Sequence, residues 1–169
     1  MPLPIYDLTI PAFLRAFRNL SAQFDKAEAH AAENAIPLED LFGARLAPDM
    51  LPLSGQIQRA SDTAKGVLGR LSALDMPSFP DEEATFTDLK ERIAKTVTFL
   101  ESVKPEDLEN AGARMVNLSA GKLSVDLDGD TYVTRFALPN FYFHVTIAYA
   151  ILRNRGVPVG KMDYIGMLG

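Results

Sequence analysis

Apolar side chains recur at alternating spacings of three and four residues along most of this chain, which is typical of helices that bury one face. The first such stretch predicts a helix near 9–34. Its apolar stripe is formed by Ile10, Phe13, Phe17, Leu20, Phe24, Ala27 and Ala31. The same spacing predicts a second helix near 51–74, a third near 85–103 and a fourth near 139–155 that begins at a proline.

Two details refine the second and third of these helices. Thr85 and Asp88 have the spacing of a capping box, in which each side chain binds the backbone N–H of the other residue. Gly55, Gly66 and Gly69 are costly inside a helix, because glycine loses more conformational freedom there than other residues. We expect close approach between helices to be their reason.

The residues near 114–136 change from helical spacing to an alternation of apolar and polar side chains at period two. Gly121 and the pair Asp128–Gly129 mark turns between the alternating runs. The pattern predicts a small β-hairpin or meander before the last helix, with Tyr132–Phe136 as the third run. Four amphipathic helices joined by loops then make one mainly all-α domain, a four-helix bundle, over residues 1–169.

Composition excludes several classes of function. The net charge is -5, with 22 acidic and 17 basic residues, which argues against a nucleic-acid binder because such proteins need a basic face. The absence of cysteine excludes disulfides, a thiolate nucleophile and a cysteine zinc site. No segment resembles a signal peptide or a membrane span, so we expect a cytoplasmic protein without a membrane partner.

The chain has two histidines, and each has two interpretations. His144 lies on the apolar stripe of the fourth helix, where it is either a ligand or general base, or a buried histidine hydrogen-bonded across the bundle. One turn away on either side stand Asn140 and Ala148, so the helix offers no pair of histidines for a metal. His30 lies near the end of the first helix, either half-exposed there or converging with His144.

Two further side chains are candidates for a site with His144. Gln56 lies one turn inside the second helix, either projecting its amide into the bundle or flanking a seam between helices. Tyr149 follows on the fourth helix and is a candidate proton donor. Polar groups on otherwise apolar stripes are candidates for a site because burial perturbs the pKa of a histidine.

Several stretches resemble DUF1993, an uncharacterised bacterial and fungal family, and more loosely the DinB/YfiT-like group of four-helix bundles. The resemblance covers nearly the whole chain and rests on Lys26–His30, Ala44–Met50, Pro139–His144, Tyr149–Arg153 and Gly156–Lys161. It implies an up-down-down-up bundle that is often a homodimer. Many DinB-like proteins bind a divalent metal through three histidines, one on the second helix and two on the fourth, and some are thiol-dependent transferases or hydrolases.

This chain departs from that metal pattern, since Gln56 is the nearest polar counterpart on its second helix and His144 stands alone on its fourth. The cofactor is therefore unknown, and a divalent metal would lack the usual histidines. Our first hypothesis is a bundle that binds a small molecule in a cavity between helices. The alternative is a metal-dependent or metal-free transferase or hydrolase that uses His144 and Tyr149 catalytically, with Gln56, Asn140 and His30 binding the ligand.

Overall fold

The computed structural model describes residues 3–120 and 122–167. Four long helices form the bundle, and they are α1 (Ile5–Glu33), α3 (Leu53–Leu71), α4 (Phe86–Glu101) and α6 (Leu138–Asn154). Shorter elements join or extend them, and they are α2 (Leu38–Phe42), β1 (Met115–Ala120), β2 (Leu123–Asp128), α5 (Gly129–Tyr132) and α7 (Lys161–Ile165). Two 3-10 turns, Pro105–Leu108 and Ala111–Ala113, lie between α4 and β1.

The helices follow the up-down-down-up order that the resemblance implies. Early residues of α1 meet late residues of α4, and early residues of α3 meet late residues of α6, so both pairs are antiparallel. The pairs are Arg18 with Glu101 and Asp25 with Lys90 for the first, and Gln56 with His144 and Thr63 with Asn140 for the second. Residues of α1 and α6 meet in the same order, with Phe13 near Phe141 and His30 near Gly156, so these two helices are parallel.

The predicted apolar stripes form the core. Every residue of the first stripe is buried, and in α6 the buried side chains include Phe141, whose ring centroid lies 4.5 Å from that of Phe13 and 5.4 Å from that of Phe17. The capping box of α4 is also confirmed. The Thr85 hydroxyl accepts a hydrogen bond from the Asp88 N–H at 3.2 Å, and the Asp88 carboxylate accepts one from the Thr85 N–H at 2.9 Å.

The predicted β insert is confirmed as a hairpin, but its third run is wrong. β1 and β2 pair antiparallel, with Val116 and Leu118 buried against the bundle. The run Tyr132–Phe136 is helical instead. Asp128 opens this helix rather than closing a turn, because its carboxylate accepts the Thr131 N–H at 2.8 Å. The predicted turn at Gly121 lies outside the described residues.

Helical backbone consequently also precedes the fourth long helix. The predicted helix near 139–155 matches α6, and α5 passes through a π turn, Val133–Ala137, directly into it, so helical backbone extends back to Gly129. Pro139 explains the irregular turn. It has no N–H to donate to the carbonyl four residues before it, and its ring would collide with that carbonyl in a regular α-helix. A wider π turn just before the proline relieves both problems.

A linker between α3 and α4 returns along the bundle, because two parallel helices need a connection as long as themselves. Met76 of the linker lies beside Gly69 of α3, Pro77 beside Lys65, and Asp81 beside Arg59. This path corrects the interpretation of the glycines in α3. A Cβ added to Gly69 would meet the Met76 side chain at 3.0 Å, so the linker, and not another helix, is its neighbour.

Arg92 fastens this linker to the bundle. Its guanidinium is 1% exposed and forms ion pairs with Asp62 at 2.8 Å, Asp81 at 3.0 Å and Glu83 at 2.8 Å. It also donates to the Pro80 carbonyl at 3.2 Å.

Within the described residues, no helix combines the length and apolar character that crossing a membrane requires.

Candidate functional site

The seam between α3 and α6 contains a buried pair of polar side chains. His144 Nδ1 lies 2.8 Å from Gln56 Oε1, and the two residues are 9% and 1% exposed. Gln56 stands one turn inside α3, where its Nε2 donates to the carbonyl of Leu51 at 3.1 Å. That carbonyl belongs to the loop before the helix and has no helical partner of its own.

These two hydrogen bonds determine which nitrogen of His144 carries the proton. The Leu51 carbonyl can only accept, so the amide group of Gln56 must turn its N–H toward Leu51 and its oxygen toward His144. An amide oxygen also only accepts, so His144 Nδ1 donates. The neutral ring therefore carries its lone pair on Nε2, the nitrogen that points away from Gln56.

The imidazole is held in its neutral form. Burial lowers the pKa of His144 below its ordinary value of 6.5, and the positive charge of Arg59 lowers it further. A neutral ring with a fixed tautomer presents a hydrogen-bond acceptor, a general base or a single imidazole ligand at Nε2.

A second polar link joins the two helices, about two turns further along α3 and one turn before His144 on α6. Asn140 Nδ2 donates to the Thr63 hydroxyl at 2.8 Å, and that hydroxyl donates to the Arg59 carbonyl at 2.7 Å. Gln56 and Thr63 are about two turns apart on α3. Asn140 and His144 are one turn apart on α6, so the two links share one face of each helix. The second link holds α6 against α3 beside His144.

The structure does not bring the other candidates to His144. His30 lies at the end of α1, where it contacts Asn34 at 3.2 Å and faces Gly156, just beyond the end of α6. His144 lies about 15 Å back along α6 from Asn154, so the two histidines are far apart. The ring of Tyr149 lies 5.8 Å from that of Tyr164, against α7. Gln56 and His144 touch each other, so no ligand fits between these two side chains.

The residues present do not fit a three-histidine metal centre. Gln56 turns its oxygen to Nδ1 of His144, and Asn140 Nδ2 donates to the Thr63 hydroxyl, so both amide groups are engaged in contacts between the helices. Ala148, the remaining neighbour one turn along α6, has no donor atom. In the described part of the chain, no three His, Cys, Asp or Glu side chains are grouped to hold a metal ion.

Sequence reasoning missed the groups that define the state of His144. The charge of Arg59 lowers the pKa of His144 directly, and the Leu51 carbonyl sets its tautomer through Gln56. A backbone carbonyl leaves no signal in a sequence. The spacing of Gln56, Arg59 and Thr63 along one face of α3 is a signal that was available. It becomes informative only once α6 is known to lie against that face.

The lowered pKa of His144 makes folding depend on pH. The unfolded chain takes up the proton at higher pH than the folded protein does, so the free energy of unfolding falls as pH drops below the ordinary value of 6.5. We expect this loss between about pH 7.5 and 5.5 to be larger in His30→Gln, where His144 is the remaining histidine, than in His30→Gln/His144→Gln. Urea unfolding at both pH values measures it, and equal losses would contradict the neutral, buried state.

Comparisons with known proteins agree with this architecture. The model of the family DUF1993, a domain of unknown function, matches residues 5–165. The chain is also similar to a crystal structure of a DinB family member from Shewanella denitrificans, with 40% sequence identity and a TM-score of 0.89. That similarity covers 97% of this chain and 93% of the other. A search of curated proteins found no match.

Proposed function

Since the chain belongs to the DUF1993 family and has a DinB-like fold, we propose that it binds a small molecule at the α3–α6 seam through Nε2 of His144. The observation that carries this proposal is the hydrogen bond from His144 Nδ1 to Gln56, which leaves a fixed lone pair on the other ring nitrogen. A ligand for such an atom needs an N–H or O–H group. We also propose, from the resemblance, a cytoplasmic homodimer.

Apolar surface beside the pair supports a ligand that has an apolar part as well. Phe143 is 52% exposed and its ring lies 5.3 Å from that of His144, while Leu51 is 44% exposed and adjoins Gln56. In small-molecule sites a few polar groups set the orientation of the ligand and apolar side chains supply affinity, and Phe143 and Leu51 would supply the apolar contact here.

Histidine-selective isotope labelling tests the proposal, with phenol as the probe and anisole as its matched control. Phenol has an aromatic ring and an O–H donor, whereas anisole keeps the ring and lacks the donor. In His30→Gln, the ring signals report on His144 alone. We expect phenol to shift the Nε2 signal of His144 in a saturable way and anisole to shift it several-fold less, because Nε2 can only accept.

A Gln56→Leu variant sharpens this test. Loss of the amide oxygen removes the acceptor for Nδ1–H, so both tautomers become populated and the response of Nε2 to phenol should weaken. Equal shifts from phenol and anisole, or no shift from either, would overturn the proposal. The binding of phenol at Nε2 does not depend on the proposed homodimer.

The alternative enzyme function rests on the same nitrogen. A neutral imidazole of fixed tautomer is suited to take a proton from a nucleophile, which favours a metal-free hydrolase or transferase over a metal-dependent one. Tyr149 contacts Tyr164 instead of His144, so the proton donor of such a reaction would have to come from the substrate or water.

A further inference from the structure

Lys65, on α3, is a buried lysine. It is 9% exposed, whereas every other lysine in the described part of the chain is half-buried or exposed. Its Nζ donates to the Pro77 carbonyl at 3.3 Å, lies 3.5 Å from Asp62 Oδ1 and stands 4.2 Å from the centroid of the Phe79 ring. Both polar distances are long for a charged donor, so the amine is held without a tight ion pair.

A shallow cavity of about 440 Å³ that is open to solvent lies between α3 and the linker, and Lys65 is part of its lining. Its lining consists of Asp62, Lys65, Gly66, Gly69, Arg70, Met76 and Pro77. Gly66 lies in the body of α3 and Gly69 in its last turn, and both positions leave room beside the linker and Arg70. A Cβ on Gly66 would come within 2.7 Å of Arg70 Nη1, and one on Gly69 within 3.0 Å of Met76 Cγ, so side chains and no backbone crowd them.

Arg70 gives the cavity a positive edge. Its Nη1 donates to the Gly66 carbonyl at 3.1 Å, and its guanidinium lies 5.7 Å from the centroid of the Tyr132 ring. Within the described residues no carboxylate forms an ion pair with it. Asp62, the acidic group of the lining, already pairs with Arg59 and Arg92. The cavity therefore favours an anion, although the chain as a whole has a net charge of -5.

The surroundings of Lys65 also favour a reactive amine. Burial lowers its pKa below the ordinary 10.5, Asp62 opposes that effect, and the charge of Arg92 reinforces it. A larger fraction of the amine is then neutral at a given pH than for an exposed lysine, and the neutral amine is the nucleophile.

We propose that Lys65 forms an imine with a small aldehyde or ketone that carries a carboxylate or phosphate group, and that Arg70 binds this anionic group. The nitrogen lone pair attacks the carbonyl carbon, and Asp62 moves a proton from nitrogen to the carbonyl oxygen. The hydroxyl so formed then leaves as water, taking the second proton of the nitrogen through Asp62 as the nitrogen lone pair forms the C=N bond. The step releases one water and needs no oxidant or reductant. It does not depend on the function proposed for His144.

Pyridoxal 5′-phosphate, used as an anionic aldehyde reagent, tests this inference. The folded protein is incubated with the reagent, the imine is reduced with borohydride, and the labelled lysines are identified by peptide mapping. We expect several-fold more label on Lys65 than on any of the other six lysines. Protein labelled in denaturant should lose this preference, because the cavity no longer exists.

Three variants separate the parts of the site. Lys65→Arg keeps the charge and should abolish the selective label, and circular dichroism verifies its fold. Arg70→Gln should lower labelling by pyridoxal 5′-phosphate several-fold and leave labelling by pyridoxal, which lacks the phosphate, unchanged. Gly69→Ala should lower both by narrowing the cavity. Equal labelling of all lysines, or labelling of Lys65 that ignores both Arg70 and the phosphate, would overturn the inference.

Discussion

Arg92→Met is expected to lower the free energy of unfolding by about 3–4 kcal/mol, because it removes one partner of a buried ion-pair cluster. The guanidinium is 1% exposed, and its loss leaves three carboxylates facing each other where it stood. Asp62 and Asp81 are 39% and 41% exposed, so water compensates them in part, and Glu83 at 10% carries the larger penalty. Equilibrium unfolding in urea measures the change.

Arg18→Met is the matched control for this experiment. Arg18 pairs with Glu101 at 2.7 Å, but the two side chains are 61% and 48% exposed, so the pair should contribute about 0–1 kcal/mol. A loss in Arg92→Met no larger than that in Arg18→Met would contradict a buried cluster. Limited proteolysis adds a second readout, since the linker that Arg92 holds should be cut faster in Arg92→Met.

Gly129→Ala is expected to destabilise the protein by about 2–3 kcal/mol through overpacking. Gly129 is the first residue of α5, and a Cβ there would lie 2.0 Å from the Ala111 carbonyl oxygen and 3.1 Å from Leu71 Cδ2. The nearest obstacle is backbone, which cannot rotate away as a side chain does. Relief therefore requires the start of the helix to move away from the 3-10 turn that contains Ala111.

Gly160→Ala is the control for this substitution. Gly160 stands at the start of α7, immediately before its first residue, and nothing lies within 4 Å of the position its Cβ would take. Its thermal unfolding temperature should match the wild type, while that of Gly129→Ala falls by several degrees. If Gly129→Ala unfolded with the wild type, the close contact between α5 and the turn at Ala111 would be wrong.

The candidate site was partly predictable. Gln56, Asn140 and His144 were identified because polar side chains on apolar stripes are uncommon, and the structure places all three on one seam. The pairing of Gln56 with His144 was not predictable, because 88 residues separate them and the register between α3 and α6 depends on packing along the whole bundle. His30 and Tyr149 were named on the same grounds and lie elsewhere, since a stripe does not say which helix it faces.

Arg92 illustrates the opposite error, in which an important residue gave no signal. A charged side chain beside a stripe is usually solvent-exposed, and Arg92 is buried because a linker folds over it. Its partners come from α3 and from two positions of that linker. Their meeting requires α3 and α4 to be parallel, which the linker sequence itself does not state.

The sequence by itself determined which face of each long helix is buried, because a period of 3.6 residues places the apolar side chains on one side whatever they contact. It also determined the cap of α4 and the hairpin, since both depend on residues close together in the chain. It misassigned Tyr132–Phe136 because period two and helical spacing coexist there, and Val133, Ala137 and Phe141, four apart and buried, follow the helix. Only the tertiary structure decided between them, since burial against the other helices selects one of two local patterns. The same packing decided the protonation of His144 and the cavity at Lys65, because each is made by groups that only the folded chain brings together.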